Sequence, residues 1–290
     1  EEWCELATNP MRHPKVREEI PPIGGTGNSK NVIMLEREMA QRLLTCVEVP
    51  VERRVRYLTG LLTGLRDGEI AGLRLERLHL NDAVPWLEVS EALAVHGNTG
   101  RFSLKEPKTR AGKRPLPLHP LLSAVLKSWV EEGWAMFVGR KPDAADPVMP
   151  RWDGGFHRPC SAAQMRYDLA LAGCPTSVDG RDLTFHALRR SFLTWLKDAG
   201  VSGEDRRALA GHAARDVEER HYLAVRLPAL LEAVTKIALA VDAADVLKRD
   251  DTTRRPRRER RGVRTGHSRN GSGESQTVVV SDEHASNPTG

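Results

Sequence analysis

The sequence predicts a mainly α-helical protein with one small antiparallel β-sheet, an α+β fold. Two observations predict it. Apolar residues recur at three- and four-residue spacing through most of the chain, which is the signature of helices with one buried face. Between residues 84 and 118 the period falls to two, and turn-forming words separate the runs. With 40% hydrophobic and 29% charged residues over 290 positions, the chain can bury a sizeable core. Its length suggests about two domains.

The elements follow in order. Residues 1–30 are rich in Pro, Gly and charge and read as linker; the GGTG within them lacks the flanking strand and helix of a phosphate loop. Residues 35–47 and 51–64 are expected as helices, the second with Leu58, Leu61, Leu62 and Leu65 on one stripe. Gly64 weakens that helix near its end, and Asp67 is positioned to cap a short helix, GEIAGLRL. Trp86, Leu87, Val89, Phe102, Leu104, Leu116 and Leu118 sit in short alternating runs separated by HGNTG and TRAGK, which predicts about three antiparallel strands. Helices are expected again over 119–137, 161–172, 184–199, 203–210, 214–222 and 228–247. In the helix from 184, Thr184 is the expected N-cap and Gly200 the residue after the C-cap, with Leu188, Phe192, Trp195 and Leu196 buried. From 248 onward the chain is Arg-rich, then Gly/Ser/Asn-rich, without an apolar face, and is expected to be disordered.

Composition excludes several classes. No apolar run approaches the ~18 residues that span a bilayer, and no signal-peptide pattern stands at residue 1. The net charge of +5 points toward a polyanion, but seven arginines and one glutamate crowd into 254–264. The rest of the chain is close to neutral, so a body that binds nucleic acid must gather its positive charge on one face. Cys4, Cys46, Cys160 and Cys174 form no CxxC pair and read as reduced, scattered thiols. No Asp, Glu or His cluster has metal-ligand spacing, so neither a metal nor a cofactor is expected.

Four segments carry candidate chemistry. In TFHALRRSFLTWLKDAG, His186 and Arg189 lie three residues apart and share a face away from the buried stripe. In LLTGLRDGEIAGLRL, Arg66 sits between two helices and Glu69 one turn into the second. In EPKTRAGKRPLPL, Lys108 precedes a turn between strands. In ALAGHAARDVEERHYLAV, His212 follows a helix-ending Gly211, and Tyr222 comes ten residues later. Each has a bland reading: solvated decoration, a surface ion pair worth ~0–1 kcal/mol, a turn lysine, a structural histidine, a half-buried ring.

Taken as an ordered set, the segments TGLRDGEI, PKTRAGKRPLPL, FHALRRSFLTWL and LAGH…RHYL resemble the catalytic domain of the tyrosine recombinases, or phage integrase family, over about residues 30–245. The resemblance implies that family's catalytic-domain fold over 31–247, with 1–30 the end of a truncated core-binding domain plus linker and 248–290 a tail. It implies that Tyr222 is the nucleophile, Arg66 and Arg189 the phosphate clamps, His186 and His212 the site histidines, Lys108 the hairpin lysine and Glu69 a supporting acid. Lys105 and Lys113 are nearby alternatives to Lys108. Tyr57 and Tyr167 lie within expected helices, outside the constellation.

The implied activity is site-specific recombination of double-stranded DNA through a 3′-phosphotyrosyl intermediate, without ATP, metal or other cofactor. A covalent phosphoryl–enzyme bond splits strand exchange into two near-isoenergetic steps. Arginine forks suit the charged oxygens of the transition state. The implied partners are duplex DNA and, during synapsis, a homotetramer on two DNA sites; accessory DNA-bending proteins are left open, and no membrane is involved. The implied location is cytoplasmic, at the nucleoid. Type IB topoisomerase-like relaxation and a non-catalytic DNA-binding remnant remain as alternatives. Leu230, Leu231, Val234, Ile237 and Val241 share one face of the last helix, which packs either on its own domain or on a neighbouring protomer. Arg254, Arg255, Arg257 and Arg258 either add phosphate contacts or belong to a solvated tail.

Overall fold

The computed structural model describes residues 33–96, 101–106, 113–211 and 226–249. The linker of 1–30, the helix expected over 214–222, the tail arginines Arg254, Arg255, Arg257 and Arg258, and the candidate residues Lys108, His212 and Tyr222 lie outside the described residues.

Helix α1 (Arg37–Thr45) leads to α2 (Val51–Thr63), the centre of the core. Every residue of α2 from Arg54 to Thr63 is buried, so the expected leucine stripe covers only part of its contact. A helix buried all round must satisfy its polar groups internally. Tyr57 accordingly donates its hydroxyl to Asp168 Oδ2 (2.5 Å), whose other oxygen pairs with Arg53 Nη1 at 3.0 Å. Arg54 donates from Nη1 to Asp245 O (3.1 Å) and from Nη2 to Lys248 O.

Gly64 ends α2 in the left-handed conformation (φ +63°), and its N–H returns to Gly60 O at 3.0 Å. A β-carbon there would lie 2.4 Å from Cδ1 of Phe192. Gly64→Ala is therefore expected to destabilise by about 2–4 kcal/mol, combining backbone strain with overpacking. The urea midpoint should fall at unchanged slope.

The short helix α3 (Asp67–Gly72) follows, with Arg66 as its N-cap residue rather than the expected Asp67. Asp67 occupies the first helical position instead, because Arg56 Nε (2.9 Å) and the backbone N–H of Cys160 both claim its carboxylate. Arg114 and the other polar residues around α3 belong to the site below.

Among the described residues, five strands lie between 78 and 117, in two sheets rather than one. Strands β1 (Leu78–His79), β2 (Trp86–Val89) and β5 (Arg114–Pro117) form an antiparallel sheet in the order β1-β2-β5. Strands β3 (Ala92–His96) and β4 (Arg101–Lys105) form a separate hairpin in the register Ala92↔Lys105 to His96↔Arg101. The break after β2 lets β3 lean on α3, where Gly68 and Gly72 leave room for the backbone of Ala92 and Leu93. A further hairpin, β6 (Ser177–Val178) with β7 (Arg181–Asp182), was not expected; its turn residues Asp179 and Gly180 both have positive φ (50° and 71°).

The helix expected over 119–137 is α4 (Pro120–Ser128) and α5 (Trp134–Val138), joined by a π turn at Trp129–Gly133. It sets Trp129 and Trp134 so that both indole N–H groups reach carbonyls, of Val148 (2.8 Å) and Pro147 (2.9 Å). Helix α6 (Ala162–Leu171) is capped by Ser161.

Helix α7 (His186–Asp198) buries Leu188, Phe192, Trp195 and Leu196 as expected, and Gly200 (φ +76°) closes it with Val201 N–H on Leu196 O. Its N-cap is Phe185, not Thr184. The Phe185 ring is held in the core beside Tyr57 and under Arg56, and that packing overrides the cap preference. Helix α8 (Gly203–Ala210) ends at Gly211 (φ +63°).

The segment expected as one helix over 228–247 is two, α9 (Leu227–Thr235) and α10 (Ala243–Leu247). Between them Ile237 O meets His119 Nε2 (3.1 Å) and Ala238 O accepts from Arg37, so these carbonyls serve other elements. Asp242 starts α10 by accepting from Asp245 N–H at 2.8 Å. Leu230, Val234 and Ile237 are buried in the chain's own core, and Leu231 and Val241 pack against it. Cys46, Cys160 and Cys174 are free thiols.

Candidate active site

Four of the seven residues singled out above, Arg66, Glu69, His186 and Arg189, lie among the described residues, and the fold brings them together. Two elements supply them. The α2–α3 corner presents Arg66 and Glu69; the first turns of α7 present His186 and Arg189.

The corner is built by local chemistry. Glu69, only 6% exposed, accepts from the backbone N–H of Arg66 (2.9 Å, Oε2) and from Arg66 Nη1 (3.0 Å, Oε1). One carboxylate therefore fixes both ends of the same arginine. The Arg66 side chain stays 54% exposed, so its remaining donors face outward.

Arg189 is buried. Its Nη1 donates to Gly64 O at 2.5 Å and its Nη2 to Ala210 O at 2.6 Å. It thus ties the end of α2, two residues before Arg66, to the end of α8, two residues before His212. His186 stands exposed one turn earlier on the same helix.

A further residue belongs here that the sequence reading did not single out. Arg114, at the start of β5 and 2% exposed, reaches Glu69 with Nη2 on Oε2 (3.3 Å) and Nη1 on Oε1 (3.5 Å). The signal was present: Arg114 is in phase with Leu116 and Leu118, the inward positions of a strand, and a charge in an apolar register requires a buried partner.

The electrostatics follow from this crowding. Burial raises the proton affinity of Glu69, but Arg114, the Arg66 backbone N–H and the Arg66 side chain outweigh it and hold the carboxyl below its ordinary value. Burial first, then Arg66 and Arg114, bring Arg189 down to about 10 against the opposing pull of Glu69. It remains a cation at neutral pH. Burial, then Arg190, Arg189 and Arg66, hold the His186 imidazole below its ordinary value. Three guanidiniums, of Arg66, Arg114 and Arg189, thus lie around a single carboxylate, leaving an excess of positive charge that suits an anion. Among the described residues, no group of three or more His, Cys, Asp or Glu could hold a metal ion, and no helix is long and apolar enough to cross a membrane.

Two tyrosines, Tyr57 and Tyr167, lie among the described residues. Tyr57 is fully buried, and burial with the nearby Cys160 and Asp168 drives its phenol far above its ordinary value. Tyr167 is exposed on α6.

The chain was compared with known proteins. No curated protein matches it. Among solved structures, the Tn1549 transposon integrase in complex with a circular intermediate DNA is similar at 19% identity and a TM-score of 0.50, covering 70% of this chain and 68% of that one. The integrase from mycobacterium phage Brujita is similar at 19% identity and a TM-score of 0.46, over 79% and 67% of the two chains. The XerA recombinase is similar at 16% identity and a TM-score of 0.46, over 76% and 65%. The phage integrase family model matches residues 34–227, a span that contains all seven residues named above. The chain belongs to the phage integrase family, the tyrosine recombinases, enzymes that cut and rejoin DNA.

Proposed function

We propose that this protein recombines duplex DNA at specific sites, with Tyr222 as nucleophile and Arg66, Arg189, His186, His212 and Lys108 as the groups that act on the scissile phosphate. The observation that carries the proposal is the convergence of Arg66 and Arg189, 123 positions apart, on one carboxylate-braced, positively charged spot beside His186.

The roles follow from the chemistry. The phenol oxygen of Tyr222 attacks phosphorus, and its proton passes to His186. The bond from phosphorus to the 5′-oxygen breaks, and Lys108 protonates the leaving oxygen. Arg66, Arg189 and His212 offer donors to the non-bridging oxygens as charge develops. The product is a 3′-phosphotyrosyl linkage with a free 5′-hydroxyl. Attack by another strand's 5′-hydroxyl reverses the steps and completes exchange, so neither ATP nor a metal is required. Two duplexes exchanging strands call for four protomers in synapsis. Work on such a substrate implies a cytoplasmic, nucleoid-associated protein, organised as a catalytic domain over 31–247 with flanking segments 1–30 and 248–290.

The test is a duplex nicked beside the scissile phosphate. Loss of the short 5′-hydroxyl product leaves the covalent adduct trapped, and peptide mapping should find it on Tyr222. Finding no adduct on duplexes that carry this protein's recombination site, or mapping the adduct to another residue, overturns the proposal.

A pH dependence also follows. A depressed His186 is neutral, and able to accept a proton, at all pH values above its lowered pKa. The kcat/KM for cleavage should therefore rise with pH and level off before neutrality, with its acid limb centred below the ordinary histidine value of about 6.5. Single-turnover rates from pH 5 to 8 check this; an acid limb centred above 7 contradicts it.

A further inference from the structure

Arg114 makes two contacts that no role above requires. The edge of its guanidinium, through Nη1 and Nη2, grips both oxygens of Glu69. Its flat face covers Gly211. A β-carbon on Gly211 would lie 2.5 Å from Arg114 Cζ, 2.6 Å from Nη1 and 2.7 Å from Nε, so that vacant position stands over the plane of the group. Gly211 is the residue from which the chain enters His212, and β5 is the strand by which the chain leaves the 107–112 segment that contains Lys108.

We propose that Arg114 is a positioning residue for the recombination reaction: by holding Glu69 at its edge and bearing on Gly211 with its face, it fixes Arg66 relative to the chain entering His212. This rests on the function proposed above. Glu69 has two jobs, the backbone N–H and Nη1 of Arg66, and Arg114 is what keeps its carboxylate aimed at both. Without Arg114, Glu69 is left buried, among the described residues, with Arg66 as its one direct ionic partner and Arg189 as the other nearby charge, from α7. The carboxylate then gains protons more readily, and each protonation releases Arg66.

A buried ion pair can be purely a matter of stability, so the test must separate the two roles. Arg114→Met, Arg114→Lys and Glu69→Gln are prepared in the full chain and checked for folding by thermal melting. Arg114→Lys keeps the buried charge and so remains informative should Arg114→Met not fold. Adduct formation on the nicked duplex should slow about 10–100-fold in Arg114→Met and about 10-fold in Arg114→Lys, as for partners that orient a reacting group from behind. The dissociation constant for DNA should stay nearly unchanged. The ratio of Arg114→Met to native rates should fall further toward acid pH, whereas a purely structural loss would scale the rate equally at every pH. Nitrogen relaxation at Arg66 Nε–H, recorded on the protein without DNA, should show that side chain loosened in both Arg114→Met and Glu69→Gln. Native cleavage rates in Arg114→Lys, a rate ratio independent of pH, or an Arg66 side chain as ordered as in the native protein overturns the proposal. A native protein that forms no adduct instead refutes the recombinase reading, and the Arg66 relaxation still decides what Arg114 does.

Discussion

Tyr222→Phe is expected to abolish the covalent adduct with nicked duplex while leaving DNA binding within about tenfold of native. The reasoning is chemical: phenylalanine has no oxygen with which to form the phosphoryl bond. A single neutral hydrogen bond contributes only about 0.5–1.5 kcal/mol, so the hydroxyl cannot account for much of the affinity. The informative controls are the two other tyrosines. Tyr57 gives its hydroxyl to a fully buried Asp168 and sits with its phenol strongly resistant to ionisation. Tyr57→Phe should lower stability by about 1–3 kcal/mol, because Asp168 loses a donor, yet leave the cleavage rate of the folded protein intact. Tyr167→Phe, at an exposed position, should change neither. Gel shift for binding and denaturing electrophoresis for the adduct separate the outcomes. An adduct formed by Tyr222→Phe at the native rate would remove Tyr222 from the chemistry.

Arg189→Ala should reduce single-turnover cleavage by about 10²–10³-fold, the loss seen when one preorganised donor to a developing oxyanion is deleted. The structure adds a second expectation. Arg189 also bonds the carbonyls of Gly64 and Ala210, so its removal frees the two helix ends that lead to Arg66 and His212. Arg189→Lys should therefore be nearly as slow as Arg189→Ala, because an ammonium reaches one carbonyl at a time and cannot span both while facing a phosphate. Stability should fall by about 1–3 kcal/mol in Arg189→Ala, as buried acceptors lose their partners. Cleavage within about threefold of native in either variant would mean that Arg189 is a brace and not a clamp.

How much of this was legible in the sequence differs by element. The α7 stripe and its closing Gly200 were readable because periodicity and a left-handed glycine are local properties. The start of α7 was not, because the Phe185 ring is placed by Tyr57 and Arg56, which are over a hundred residues away. The division of the last helix depends on His119 and Arg37 drawing two carbonyls aside, which is again a tertiary cause, although Asp242 offered a local capping signal. The Asp179–Gly180 turn, with positive φ at both residues, is a local hairpin signal carried by the sequence itself. In the site, Arg66, His186 and Arg189 were recoverable because their surrounding words resemble a family. Arg114 belongs to the same words, yet its role emerges only from what it touches: a carboxylate from α3 and a glycine at the end of α8.

The way Arg54 is used limits how far this chain can be shortened. Its guanidinium is enclosed by the core, and the two carbonyls that receive its donors belong to Asp245 and Lys248. A stop codon placed beyond Arg249 leaves those acceptors in place. One placed before Asp242 removes both acceptors of that guanidinium, a loss of about 1.5–3 kcal/mol for each charge-assisted hydrogen bond. The practical C-terminal border for any minimal version of this enzyme is therefore drawn by an arginine nearly two hundred positions upstream.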